Sequence, residues 1–562
     1  APRGILPLFA LLQVAAPMST VASVGAPGRA LANLAVVEGL EPKRLWSLFA
    51  RLSAIPRMSK REAAALELVE ALARERGLPF TQDGAGNALI KFPGAGAGIG
   101  APPVLIQGHL DMVTEKNDAT AHDFATDPIA LVLSADGRWL KADGTTLGAD
   151  NGIGVCAALA LLDEPAPIDL PPLELLFTVD EETGLNGAKA LDPAALGVSA
   201  RTLLNLDTEE WGCIYIGCAG GGDARLALPI AREPPAHAAP PPSRWELRVQ
   251  GLLGGHSGIC IDRGHANAVQ LAARAAQQAL GAARGVGLVA IDGGDKHNAI
   301  PREASAVLLV PPDADGAVCA AAAESAEALR AEYGLLEQGG SLELRPLRAG
   351  AADWRSGAPP LTPEAAERVL AVLVSLPHGV LKVSHALPGL AETSNNLAAV
   401  TTDAPGAPRG EGGEGECVRV LCSSRSSVTP GIDGVRAKLR AIGCLMGKGS
   451  VAFSPAYPGW QPDPTSRVLR MTQEALSRQL RADGIAEPPQ VLAIHAGLEC
   501  GLIGEKVAHA SAQPQHAKLD MVSFGPTIRG AHSPDEAVEV STVPKFYELT
   551  KAVLAQLAAV RE

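Results

Sequence analysis

Leu147-Gly148-Ala149-Asp150-Asn151-Gly152-Ile153-Gly154 is the stretch from which the fold is read. It opens a helix predicted over 152–162. Before it lies a short apolar run, 103–107, that ends in Gly108-His109-Leu110-Asp111. After it comes 173–179, running into Asp180-Glu181-Glu182, and then 202–206, running into Asp207-Thr208-Glu209-Glu210. Short apolar strands alternating with helices predict an α/β fold around a mixed, mainly parallel sheet.

The flanks extend this pattern. Leu45, Phe49 and Leu52 share one helical face. Ser59 and Glu62 have the spacing of a capping box, before apolar positions Leu66, Val69 and Leu72 and a stop at Gly77-Leu78-Pro79. A Pro-rich segment at 233–243 marks a change of character. Beyond it the order is strand, helix, strand, strand, helix, and from about 361 a similar α+β mix recurs, which suggests a doubled unit. Near 456 the α/β pattern returns, with a helix at 464–481, strands at 490–494 and 521–524, and a final helix at 544–559. The second domain is therefore expected to be inserted into the first. The expected boundaries are 1–36 as an N-terminal extension without stable structure, 37–220 and 456–562 as a catalytic domain, and 221–455 as an inserted lid. The extension reads as an upstream addition or a mis-assigned start, with a secretory signal as the weaker alternative.

Composition narrows the function classes. At 562 residues the chain exceeds one ordinary core. Its net charge of −13, without any Lys/Arg block, argues against a nucleic-acid partner. No apolar run approaches the ~18 residues of a membrane span. Nine scattered Cys without a C-x-x-C pair read as free thiols of a reducing, cytoplasmic compartment.

The chemistry gathers at the ends of the strands. His109, Glu181/Glu182, Asp207 and His532 each follow a predicted strand, and ligands of open parallel sheets collect at those carboxyl ends. Asp150 opens a helix, where Gly148 and Gly152 are expected to admit a close approach of backbone to ligand. Nitrogen and oxygen donors of this kind suit Zn²⁺, with Co²⁺ or Mn²⁺ as alternatives. Two zinc sites with three protein ligands each need six positions. Five residues supply six if Asp150 bridges. Adjacent side chains of extended backbone point apart, so one of Glu181 and Glu182 is expected to ligate and the other to act as general base. Asp111, two residues after His109, is placed to accept the other imidazole N–H.

At these residues the sequence resembles a known family. The stretches 108–113 (GHLDMV), 147–154, 181–184 (EETG), 495–501 (HAGLECG) and 530–536 (GAHSPDE) resemble the aminoacyl-histidine dipeptidases, or cytosolic non-specific dipeptidases, of the di-zinc aminoacylase/carboxypeptidase superfamily. The likeness runs from about 40 to 560. It implies that His109, Asp150 and Asp207 hold one zinc, and that Asp150, Glu182 and His532 hold the other. It implies Glu181 as general base, Asp111 as orienter of His109, and His256 in Gly-Gly-His-Ser-Gly as oxyanion stabiliser. It implies Asn298, Arg425, Gly497 and Glu499 as substrate-binding residues, with Arg425 on the peptide carboxylate. It also implies a ferredoxin-like, doubled lid, a homodimer formed through the lid, and hydrolysis of dipeptides, including Xaa-His and β-alanyl-histidine. The alternatives are an N-acyl amino-acid deacylase or carboxypeptidase of the same superfamily, and a non-catalytic peptide-binding protein on the same fold.

Overall fold

The structure, a computed structural model, describes residues 27–165, 168–234, 240–347, 353–407, 415–445, 449–510 and 518–561. The described residues begin with helices α1 (Pro27–Val36), α2 (Lys43–Ser53) and α3 (Ala63–Glu75). Strands β1 (Phe80–Gln82), β2 (Ala88–Phe92), β3 (Val104–His109), β4 (Leu131–Leu133) and β5 (Trp139–Ala142) follow. Next come α4 (Ala149–Ala160), β6 (Leu173–Thr178), the short α5 (Asn186–Ala190) and α6 (Pro193–Leu196), then β7 (Thr202–Asn205) and β8 (Cys213–Cys218).

A second sheet then intervenes. Its elements are β9 (Gly220–Pro229), β10 (Ser243–Gln250), α7 (Ala268–Ala282), β11 (Gly287–Gly293), β12 (Ala304–Val310), α8 (Asp315–Tyr333) and β13 (Ser341–Pro346). They continue with α9 (Pro363–Ser375), β14 (Gly379–Val383), β15 (Ala391–Thr402), β16 (Cys417–Ser426), α10 (Thr429–Leu445) and β17 (Ser450–Phe453). The chain returns through α11 (Arg467–Ala482), β18 (Gln490–Ile494), α12 (Glu499–Ala510), β19 (Asp520–Ser523), β20 (Ile528–Arg529), β21 (Ala537–Glu539) and α13 (Thr542–Ala558).

The first sheet has the order β1-β2-β6-β3-β7-β19-β8-β18. The pairs β3–β6, β3–β7, β19–β7 and β18–β8 are parallel, and the remainder are antiparallel. All residues of β3, β6 and β7 are buried, as strands covered on both faces must be. Register brings their ends level. His109 pairs with Thr178, and Gln107 pairs with Asn205. Asp207, two residues past Asn205, and Glu181, three past Thr178, therefore leave the sheet beside His109.

The second sheet has the order β13-β10-β12-β11-β15-β16-β9-β17, with β14 on β15. It resolves into two β-α-β-β-α-β units. In the first, β10-α7-β11-β12-α8-β13 has the spatial order 4-1-3-2. In the second, β9-α9-β15-β16-α10-β17 has the same order, with the first unit lying in the chain between β9 and α9. The doubling expected from the recurring pattern is thus a pair of ferredoxin-like units joined where β11 meets β15 at Gly293 and Val400. β8 and β9 had no counterpart in the sequence reading, because their Cys- and Gly-rich stretch shows no alternation. The segments that enter and leave this insert bridge to each other, through Cys218 and Trp460 (3.0 and 2.9 Å).

Two sequence expectations are corrected. Residues 27–36 are not an unstructured extension. They form α1, whose Asn33 is 1% exposed and bonds the carbonyls of Ala50 (3.4 Å) and Ile129 (3.0 Å) and the amide of Leu131 (3.1 Å). Residues 1–26 lie outside the described residues. Nor do Ser59 and Glu62 form a capping box. The Ser59 hydroxyl donates to Asp111 (2.7 Å), and Glu62 accepts from the amides of Lys60 (2.8 Å) and Asp180 (2.9 Å). Tertiary partners outbid the local cap. Among the described residues no helix is long and apolar enough to cross a membrane.

The α1 correction is testable. Asn33→Ala leaves buried backbone groups unpaired, so it is expected to lower stability by about 1–3 kcal/mol. It should also open residues 27–36 to limited proteolysis. Unchanged proteolysis of that segment would show that Asn33 does not anchor it.

Candidate metal centre and active site

Six of the predicted side chains meet in one cavity of about 500 Å³, lined among others by His109, Asp150, Glu181, Glu182, Asp207 and His532. Asp150 is at their centre. Its Oδ1 lies 3.1 Å from His109 Nε2, and its Oδ2 lies 3.2 Å from His532 Nε2. The two oxygens therefore face two different imidazoles. His109 Nε2 is 3.5 Å from Asp207 Oδ1, and His532 Nε2 is 3.1 Å from Glu182 Oε2. Ligand atoms of His109, Asp150 and Asp207 lie within 4.8 Å of one another, as do those of Asp150, Glu182 and His532.

Backbone geometry sets this up. Gly148 has φ +70°, and the Asp150–Asn151 peptide is cis. The glycines make room for protein, which differs from the sequence reading of a close ligand approach. A Cβ at Gly148 would stand 2.3 Å from Arg57 Nη2, and one at Gly152 would stand 2.8 Å from the same atom. Arg57 is fully buried and holds the carbonyls of Leu110 (2.8 Å), Asp111 (3.0 Å) and Gly148. Asn151 donates to Leu206 O (2.8 Å).

Glu181 and Glu182 do not occupy extended backbone, as the sequence argument assumed. Asp180 has φ +51°, and the chain turns there. Asp111 fastens this turn, accepting from the amides of Glu181 (3.0 Å) and Glu182 (3.1 Å). Its Oδ1 is also 3.4 Å from His109 Nδ1. Glu182 reaches His532, whereas the Glu181 carboxylate faces the cavity without a described hydrogen-bond partner.

The electrostatics are those of crowded carboxylates. Burial pushes Asp207 up to about 7, against the pull of His109, and pushes Glu209 on the same wall up to about 8. Burial likewise drives Glu181 well above its usual range. Asp150 goes the other way. Burial opposes its ionisation, but the two imidazoles outweigh it and hold the carboxyl low. Asp150 and Glu182 raise His532 to about 11, and carboxylates led by Asp207 raise His109 despite its burial. The donors are two imidazoles and three carboxylates, and Glu182 Oε1 is buried with no hydrogen-bond donor. That set fits a pair of divalent cations.

The remaining predicted residues are dispersed. Gly497 lines the cavity. Glu499, expected beside it as a substrate contact, does not. It is fully buried at the start of α12, beneath the sheet, where it accepts from Gln107 and from Thr178 (2.6 Å). Arg425, buried on β16, lines a neighbouring cavity of about 580 Å³ with Tyr457, His297, Lys189 and Lys506. Gly497 of the first cavity adjoins Tyr457 of the second, since a Cβ there would lie 3.6 Å from the Tyr457 ring. His256 Nδ1 accepts from the amides of Gly258 and Ile259 (both 3.2 Å), two residues of the first cavity's wall. That bonding leaves the proton on Nε2. Burial, with Arg425 and His297 nearby, lowers the pKa of His256 to about 4, so this imidazole is a neutral donor. Asn298 is exposed, lines neither cavity, and accepts from Ser257 N through its backbone carbonyl (2.8 Å).

Sequence reasoning missed Arg57 and Glu536. Glu536 accepts from the amides of Leu147 to Asp150. Its place in the 530–536 stretch was the only available signal.

Such a donor set at the strand ends of an α/β sheet defines a class, the metallohydrolases. The chain belongs to one family of that class, peptidase family M20/M25/M40, which residues 105–556 match. A cytosol non-specific dipeptidase of Escherichia coli is 38% identical over 524 residues, 92% of this chain and 99% of that one. The crystal structure of an aminoacylhistidine dipeptidase from Vibrio alginolyticus superposes with a TM-score of 0.79 at 35% identity, covering 94% of this chain and 98% of that chain. An aminopeptidase, PepT, of Bacillus cereus shares the fold, with a TM-score of 0.54 at 16% identity over 92% of this chain and 99% of its own.

Asp111 gives a test of the electrostatics. Burial raises its pKa, but His109, the Glu181 amide and Ser59 outweigh it and hold the carboxyl at about 2, below the reference of 3.8. A depressed carboxylate stabilises the fold above the unfolded pKa and loses that stability as pH falls through the folded one. In protein freed of divalent cations, Asp111 is expected to contribute about 2 kcal/mol above roughly pH 4, lost on approach to about pH 2. Asp111→Asn should flatten this acid limb in urea melts. An identical limb in the variant would refute the assignment.

Proposed function

We propose that this protein is a two-metal dipeptidase acting on short peptides with free ends, including Xaa-His and β-alanyl-histidine. What carries the reading is the meeting of His109, Asp150, Asp207, Glu182 and His532 in one cavity, with the Glu181 carboxylate within 4.8 Å of His109 and Glu182 and without a described hydrogen-bond partner. The relatives named as dipeptidases, similar over nearly their whole lengths, support the same activity.

The residues take these roles. His109, Asp150 and Asp207 hold one zinc, and Asp150, Glu182 and His532 hold the other, with Co²⁺ or Mn²⁺ as substitutes. Bound divalent cations polarise a scissile carbonyl and lower the pKa of water to about 7. Glu181 takes the proton from the attacking water and passes it to the leaving amine. Asp111 keeps His109 in register. His256 donates from Nε2 to the oxyanion as the lid closes. Arg425 receives the peptide carboxylate, and Gly497, on the wall of the metal-side cavity, borders its path; Asn298 lines neither cavity and takes no part in this reading.

Charge distribution favours a zwitterionic peptide. Among the described residues, the metal-side cavity is lined by Glu209, Glu210 and Asp262 and by no Lys or Arg. The neighbouring cavity carries Arg425, Lys189 and Lys506, with Asp223 and Glu505. An ammonium belongs to the first and a carboxylate to the second. An N-acyl amino acid offers nothing to the acidic wall. The lid spans 221–455, between catalytic segments 37–220 and 456–562. The protein works as a cytoplasmic homodimer paired through the lid.

Two measurements test this. Protein loaded with zinc is expected to hydrolyse β-alanyl-histidine and other dipeptides faster than N-acetyl amino acids. Tight peptide binding without hydrolysis would favour a binding protein instead. Glu181→Ala should retain both metals while turnover falls by about 10²–10⁴-fold. Loss of zinc in that variant would mean that Glu181 and Glu182 have exchanged roles.

A further inference from the structure

Glu536 lies four residues beyond His532, in the turn 530–536 between β20 and β21. Its side chain is buried, at 2% exposure. The carboxylate accepts four backbone amides, those of Leu147 (2.7 Å) and Gly148 (2.9 Å) on Oε2 and those of Ala149 (2.7 Å) and Asp150 (3.3 Å) on Oε1. The amides of Ala149 and Asp150 lie in the first turn of α4, where no helical carbonyl serves them, and those of Leu147 and Gly148 lead into it. A negative charge is well placed at a helix start. Here that charge comes from a segment that also carries a candidate ligand.

The turn has few other ties. Strand pairing pins its two ends, through Arg529 and Ala537. Within it the bonds are internal. The Ser533 amide (3.1 Å) and hydroxyl (2.7 Å) donate to Gly530 O, Asp535 N donates to Ser533 Oγ (3.3 Å), and Glu536 N donates to Ser533 O (3.1 Å). Among the described residues, only the side chains of His532 and Glu536 hydrogen-bond from this turn to other parts of the chain. His532 itself has φ +63°, and its side chain is 56% exposed. Its polar partners are Asp150 and Glu182. The other half of the centre is held differently. His109 is a buried strand residue, Asp207 leaves β7, and the Asp150 segment is also gripped by Arg57 and Asn151. Removal of the Glu536 charge therefore frees the turn more than it frees Asp150.

We propose that Glu536 is the positioning residue for the His532 half of the metal centre. It sets where His532 stands against Asp150 and Glu182, and so sets the affinity of that half for a divalent cation. The His109 half does not depend on it. The inference rests on the two-metal reading of the site.

The experiment is calorimetric titration of the full-length, metal-stripped protein with Co²⁺ alone, followed in parallel by cobalt absorption. Wild type should take up two ions per chain. In Glu536→Gln one side-chain oxygen is replaced by an NH₂ that faces backbone donors. One ion should then bind within about threefold of wild type, and the other about 10–100-fold more weakly. In a His532→Ala background, Glu536→Gln should change the affinity of the remaining ion by less than about threefold, because the two changes act on one half. Thermal melting of the stripped protein checks folding, and Glu536→Asp replaces the Gln variant if that variant does not fold. Equal weakening of both ions, or no weakening, overturns the inference. Wild type that binds no second cobalt overturns the two-metal reading itself.

Discussion

Asp150 turns one oxygen to His109 and the other to His532, and the rest of the catalytic body is arranged to keep it so. The constraint is electrostatic. Asp150, Asp207, Glu181, Glu182 and Glu209 share one cavity wall, and burial raises the pKa of three of them. Like charges this close cannot all ionise without a cation among them. The two imidazoles supply part of the compensation, which is why His532 is driven to about 11. The backbone supplies more, through the amides of Glu181 and Glu182 on Asp111 and the amides of Leu147 to Asp150 on Glu536. Arg57 adds a fixed positive charge behind the Asp150 segment. The donor geometry is therefore built into the fold rather than assembled by flexible surface acids.

How much of this is legible in one dimension depends on what holds each group. His109, Glu181, Glu182 and Asp207 were readable because each ends a buried run. A short, mostly apolar run bounded by turn residues reads as a covered strand, and covered parallel strands end together. The doubled lid was readable in outline from its repeating helices and strands. Its first strand of the second unit, β9, was not, because its partner β16 lies almost 200 residues away and its Gly-rich start shows no period. Arg57 and Glu536 were invisible for the same reason. Their partners are backbone atoms, which carry no residue identity, and Glu536 stands 386 residues from Asp150.

Two misreadings were local patterns overruled by tertiary ones. Ser59 and Glu62 have capping-box spacing, yet each found a partner on the loops beneath the metal centre. Glu499 follows the cavity residue Gly497 by two positions, but the chain enters α12 there and turns the carboxylate inward to Gln107 and Thr178. Adjacency to a pocket residue is weak evidence of lining where a helix begins. Arg425 shows the converse. It does not share the metal-side cavity, yet it lines the next one, with Tyr457 and His297.

Glu181, without a hydrogen-bond partner among the described residues, bears on the choice between an enzyme and a scaffold. An acid pushed up by burial, with no described hydrogen bond to its carboxylate, destabilises the fold that carries it. A protein that only held peptides would gain stability from an amide or an apolar side chain at this position. It would lose nothing in recognition, because Glu209 and Glu210 already make the wall acidic. Proton transfer needs what an amide cannot give, a group that is charged in one step and neutral in the next, with a pKa moved toward the working pH. The turn at Asp180, fastened through Asp111, points one glutamate at His532 and leaves the other free over the cavity.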